Sequence, residues 1–336
     1  RDREGHISYN TVFQLHHKIL RWDMRKSSFI IIGIFCLALS GCEVEFDIKG
    51  LDSDPLLLMD GHVKMDPFSP GGCSFQMYLY GVPSAAGDRE FDKDARCTLK
   101  VYKNYELIDT KDYITISTFY GLIADFYEGV QPGDEITITA ESAGFPAASS
   151  RTVIPQEPPA VDVSYSLEGN DLKIRFAFED NAATDDAYAI CFRKIFSNRP
   201  PDDSQIGTSF DLSFGELSES SFLDIGPFDV SWEDGDRYYG IFDDTFNGRR
   251  KEFEVTVPGV GLLSYEGNVY ARIEIQRISP ERLRYEIACN DKGSNVLGFI
   301  GLSPVTFAYT NVSGGSGVFS SGNVGYSDWV ELSLMK

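Results

Sequence analysis

Beyond Met24 the chain holds one histidine, His62, and that scarcity removes most of the chemistry on which Ser-His-Asp triads, Cys-His pairs and zinc centres depend. No phosphate loop, HExxH pair or nucleophile elbow occurs, and no motif calls for a cofactor. Positive charge is also scarce: 30 basic residues stand against 51 acidic ones. Removing residues 1–41, which carry 6 basic and 3 acidic side chains, leaves 24 against 48, a charge of −24. Such a field repels phosphate backbones and anionic headgroups, so nucleic-acid binding and electrostatic membrane docking are disfavoured. Cationic and neutral ligands stay open.

Long apolar runs are missing too. The greasiest stretch, Phe29 to Leu39, falls short of the roughly 20 residues a helix needs to cross a bilayer. It follows Arg25 and Lys26 and ends in the small residues Ser40 and Gly41, which is the layout of a secretory signal. The sequence therefore predicts a signal peptide over residues 24–41. Leu39-Ser40-Gly41-Cys42 resembles the lipobox of bacterial lipoproteins, with cleavage between Gly41 and Cys42 and lipid attachment at Cys42. Two or more acyl chains hold a domain durably where one does not. Residues 1–23 read as an upstream segment outside the fold. Residues 42–55, with Glu43, Glu45 and Asp47, read as an acidic tether: either a surface-export signal or a solvated spacer.

From residue 56 onward the pattern is short alternating runs broken by Gly, Pro, Asn and Asp, the mark of antiparallel strands. LLLMDGHVKM, CSFQMYLYGV, CTLKVYKN and YELIDTKDYI open the series, with a hairpin turn at Lys103-Asn104-Tyr105. EGVQPGDEITITAES places a Pro-Gly-Asp turn before a strand with Ile136 and Ile138 on one face. Residues 56–154 are thus expected to form an immunoglobulin- or transthyretin-like sandwich. Pro155, Pro158 and Pro159 mark a connector over residues 155–160. Residues 161–336 read as a larger antiparallel domain, beginning with a hairpin around Gly169-Asn170-Asp171. One helix is expected over Ser279 to Asn290, with Ser279 as cap, Pro280 in the first turn and Glu281 at the positive end of the dipole. A Gly/Ser-rich loop is expected in NVSGGSGVFSSGNVGYSDWVEL, followed by a closing strand. The predicted class is all-β, with two sandwich-like domains and one short helix.

The order of several segments is similar to the Bacteroidota outer-membrane lipoproteins of the domain-of-unknown-function 4249 family. They are GCEVEFD, LLLMDGHV, EGVQPGDEITITA, VIPQEPPAVD, ISPERLRYEIACN and YTNVSGGSGVF. Phe196 to Trp232 matches no family segment. The resemblance implies a lipid-anchored outer-membrane protein, encoded near TonB-dependent transporters and assisting nutrient capture. It brings no catalytic residues.

Within the body, Cys73 and Cys97 are the only cysteine pair at modest separation in one half, so an oxidising compartment permits a disulfide there. Cys191, in AYAICF, reads as a core residue. His62 reads as structural or merely exposed. DDTFNGRRKEFE aligns Asp243, Thr245, Asn247, Gly248 and Glu254 with the ligand positions of a calcium loop, but Lys251 stands at the ninth position and strands flank it. A type I′ hairpin at Asn247-Gly248 is the simpler expectation, and no metal is assigned. RYYGIF and Trp232 form the most aromatic stretch, read as sheet core in preference to a stacking surface.

The expected role is a non-catalytic binding or accessory component of TonB-dependent uptake, its ligand unknown, facing outward from the outer membrane. A fimbrillin-like structural subunit is the alternative. A surface glycan hydrolase, which needs only two carboxylates, ranks below both.

Overall fold

A strand that alternates apolar and polar residues buries one face, and in this chain that alternation builds three sheets around two cores. The computed structural model describes residues 55–82, 96–115, 122–169, 171–209, 238–257, 268–294 and 309–332. The signal peptide, Gly41, Cys42, the tether as far as Asp54, and Trp232 lie outside them. The first half supplies β1 (Leu56–Met65), β2 (Gly72–Val82), β3 (Arg96–Lys103), β4 (Glu106–Thr115), β5 (Leu122–Glu128), β6 (Glu135–Ser142) and β7 (Ala148–Val153). After the proline connector come β8 (Asp162–Glu168), β9 (Asp171–Glu179), β10 (Ala187–Ser197), β11 (Thr208–Ser209), β12 (Tyr239–Phe242), β13 (Arg250–Val257) and β14 (Asn268–Ile278). Helix α1 (Pro280–Ser294), β15 (Ser316–Tyr326) and β16 (Val330–Glu331) complete the order.

The large sheet runs β11-β10-β14-β15-β1-β2-β5, with β12 on β10 and β16 on β14. It draws strands from both sides of the connector. The two sets meet where β1 pairs with β15 in parallel, His62 opposite Ser320. Residues 53–336 form one compact unit. A four-stranded sheet, β4-β3-β6-β7, covers one half of the large sheet's inner face, and a three-stranded sheet, β13-β9-β8, covers the other. Leu57, Met59, Phe75, Met77, Leu99, Ile136, Ile138 and Phe319 fill the first core. Ile174, Phe176, Phe178, Ile190, Phe192, Phe253, Ile273 and Ile275 fill the second. The architecture is mostly β and sandwich-like, as the alternation predicts.

The expected Lys103-Asn104-Tyr105 turn is present, with Asn104 and Tyr105 both at positive φ, 49° and 71°. The helix is present as well, although the Ser279 hydroxyl accepts from the Ser321 amide at 3.1 Å and so ties α1 to β15. Among the described residues no helix is long and apolar enough to cross a membrane.

Two expectations fail. Most of the expected Gly/Ser-rich loop, from Ser316 to Tyr326, is a strand, β15, in the middle of the sheet. Its glycines are there for close approach: a Cβ on Gly317, at φ +104°, would sit 2.1 Å from the Met59 carbonyl oxygen. The hairpin at Asn247-Gly248 does not form either, because β12 pairs with β10 and β13 with β9, in different sheets. A short 3-10 turn at Asp243–Thr245 redirects the chain, and Gly248, at φ +68°, donates its amide to Asp180 Oδ2 at 2.8 Å.

Candidate functional site

Successive residues of a strand point to opposite faces, so the partners of the core residues line the outer face of the large sheet. On β14 these are Arg272, Glu274 and Gln276; on β10, Arg193; on β1, Asp60 and His62. All are buried, Gln276 completely and Arg272 and Glu274 with only 1% exposed. A buried charge is tolerated only when paired and hydrogen-bonded.

Glu274 is saturated in that way. Arg193 Nε donates to its Oε2 at 2.7 Å, while Tyr238 Oη and Gln276 Nε2 donate to its Oε1 at 2.8 and 2.7 Å. Burial and then the Glu274 charge push the Tyr238 hydroxyl far above its ordinary pKa. From the first turn of α1, Arg282 reaches Asp60 on β1 at 3.0 Å and Glu286 one turn on at 2.6 Å. His62 lies beside them, with Nδ1 3.0 Å from Ser320 Oγ. Burial, followed by Arg282 and Lys64, holds its imidazole well below the usual value, so the ring is neutral.

At one end this polar face opens into a cleft of about 640 Å³. The β1–β2 loop (Asp66 to Gly71), the connector (Glu157, Pro158), Asp203 and the end of β15 with the two residues after it (Asn323 to Asp328) form its walls, with Arg272 among the lining residues. The Arg272 guanidinium lies 4.0 Å from the Tyr326 ring, 4.4 Å from Trp329 and 5.7 Å from Phe68. It donates to the Asp203 and Gln205 carbonyls at 2.9 and 2.8 Å. Its Nε has no hydrogen-bond partner among the described residues. Burial lowers its pKa from the ordinary value. Phe68 stacks on Tyr326 at 5.1 Å and keeps 36% of its surface exposed. Asp66 fixes both, accepting from the Phe68 amide at 2.8 Å and from Tyr326 Oη at 3.3 Å. The result is a rigid aromatic and proline wall under an acidic rim, a form suited to binding.

Other sequence-predicted positions go elsewhere. Cys73 and Cys97 are unbonded and buried in one core, and burial pushes their thiols up to about 12 and about 11. Cys191 is buried, as expected of a core residue. Tyr238, Tyr239 and Ile241 are buried, so the described part of that aromatic stretch belongs to the interior. The calcium-loop alignment does not form: Glu254 faces out and pairs with Arg175 at 2.6 Å. Asp243 instead joins Asp180 and Asp186, carboxylates within 4.8 Å of one another. Arg277, 3.5 Å from Asp186, supplies positive charge there.

Sequence reasoning missed the cleft residues Phe68, Arg272 and Tyr326. The one available signal was a loop, DPFSPGG, that puts an aromatic between two prolines.

The chain matches the family described as a domain of unknown function, DUF4249, over residues 82–327. No curated protein sequence matches it. Among solved structures, "Crystal structure of CBD12 from CALX1.2" aligns with 79% of this chain and 98% of that one, at 7% identity and a TM-score of 0.19, too slight a likeness to bear on fold or function.

Proposed function

The chain belongs to the DUF4249 family, and from that premise we propose that it is a lipid-anchored protein of the bacterial outer membrane, a non-catalytic binding or accessory component of TonB-dependent nutrient uptake. The anchor is Cys42, and the body faces the cell exterior. The observation that carries the binding role is the cleft at the end of β15, with Phe68 and Tyr326 stacked above the caged Arg272. The placement of His62, 4% exposed and engaged by Ser320, supports binding over acid-base catalysis.

Affinity isolation from solubilised membranes tests the partnership: recovery of a TonB-dependent transporter is expected, and its repeated absence defeats it. Labelled palmitate should enter the parent chain and not the Cys42→Ser variant. Equal labelling of both would remove the anchor.

A further inference from the structure

We infer that the cleft binds a basic, extended peptide, held by its positive side chains on the acidic rim and by its backbone against the proline and aromatic wall. The inference rests on the reading of the cleft as a binding site.

Charge comes first. Asp66, Glu157, Asp203 and Asp328 line the cleft, and Arg272 is the only basic residue among the lining. Arg272 is 1% exposed, its guanidinium stacked on Tyr326 and bound to two main-chain carbonyls. Its charge sits beneath the wall, while the carboxylates of Glu157, Asp203 and Asp328 are exposed. A concave surface lined by one sign of charge concentrates ligands of the other sign.

Shape comes second. Pro67, Pro70, Pro132 and Pro158 present rigid apolar faces next to the Phe68 ring. Proline and aromatic walls accept an extended backbone because neither side loses much freedom on contact.

The same wall separates a peptide from a simple cation. An extended peptide backbone packs along the prolines and the Phe68 ring, while lysine or arginine side chains supply the charge. A polyamine has the charge and no such backbone. A neutral saccharide has no charge.

Calorimetric titration of the full chain with trilysine, spermidine and maltotriose at low salt separates the three. Trilysine is expected to bind more tightly than spermidine, to weaken as salt rises, and to leave maltotriose without measurable heat. Glu157→Gln with Asp328→Asn, both at exposed positions, should weaken trilysine about fivefold or more. Glu168→Gln, which removes a carboxylate outside the cleft, should leave it unchanged. Absence of trilysine binding, equal loss in the Glu168 variant, spermidine as tight as trilysine, or binding of maltotriose would each overturn the peptide. A chain that ignores trilysine yet co-isolates with a transporter defeats only the ligand class. Trilysine binding without a transporter defeats only the partnership.

Discussion

His62 Nδ1 lies 3.0 Å from Ser320 Oγ, a contact between residues 258 positions apart that joins the parallel strands β1 and β15. The Ser320 hydroxyl donates to the Gly61 carbonyl at 3.2 Å, so Nδ1 is the donor across the pair, and burial, followed by the Arg282 and Lys64 charges, disfavours a second proton on the ring. A histidine whose folded pKa is depressed contributes stability that is complete above its unfolded pKa, near 6.5, and lost as pH falls towards the folded value. Unfolding free energy should therefore decline below about pH 6.5, by up to about 1.4 kcal/mol per pH unit from this group. His62→Gln should flatten that decline, measured by urea unfolding at stepped pH. Unchanged slopes in parent and variant, or an imidazole NMR titration near 6.5, would refute the assignment.

The Arg193–Glu274 pair is the second test. Glu274→Gln leaves the Arg193 charge buried beside Tyr238, and the expected cost is about 3–5 kcal/mol in chemical denaturation. Arg193→Met combined with Glu274→Leu removes both charges and should recover most of that loss. A double variant no better than the single one would show that the pair contributes more than mutual neutralisation.

Tyr105 occupies the second position of a turn that favours glycine, at φ 71° with 81% of its surface exposed. Left-handed backbone costs a side-chain-bearing residue about 1–2 kcal/mol, and an exposed ring recovers little of it by packing. Tyr105→Gly is expected to raise stability by about 0.5–1 kcal/mol after the entropy of glycine is counted. A lower unfolding midpoint would mean that the ring is held by contacts after all.

Thiol chemistry gives a fourth prediction. Cys73, Cys97 and Cys191 are buried, and burial suppresses the thiolates of Cys73 and Cys97, whereas Cys289 on α1 is partly exposed. Under native conditions an aromatic disulfide reagent should modify Cys289 quickly and the other three only on unfolding. Rapid native labelling of Cys73 or Cys97, read by peptide mass mapping, would contradict the packing.

Much of the architecture was legible because strand signals are local. Alternation located β1, β2, β3, β4 and β6, and positive-φ turn residues marked the β3–β4 and β8–β9 hairpins. What failed was non-local. Arg272, Glu274 and Gln276 alternate with apolar neighbours in the pattern of a half-solvated strand, yet all three are buried. Glycines in SGVFSSGNVGY read as loop because the sequence does not display the Met59 carbonyl that excludes a Cβ at Gly317. The cleft was illegible for the same reason. Asp66 and Tyr326, which build its wall together, are 260 residues apart.

The position of β1 has a mechanical consequence. It lies inside the sheet, with β15 on one side and β2 on the other, and the chain enters it at Leu56. A pull from the N-terminal side therefore runs lengthwise along the strand and loads the ladders on both flanks at once. Those ladders must slip in shear together instead of unzipping one bond at a time, so drag on the body is met by an interior seam and not by an edge.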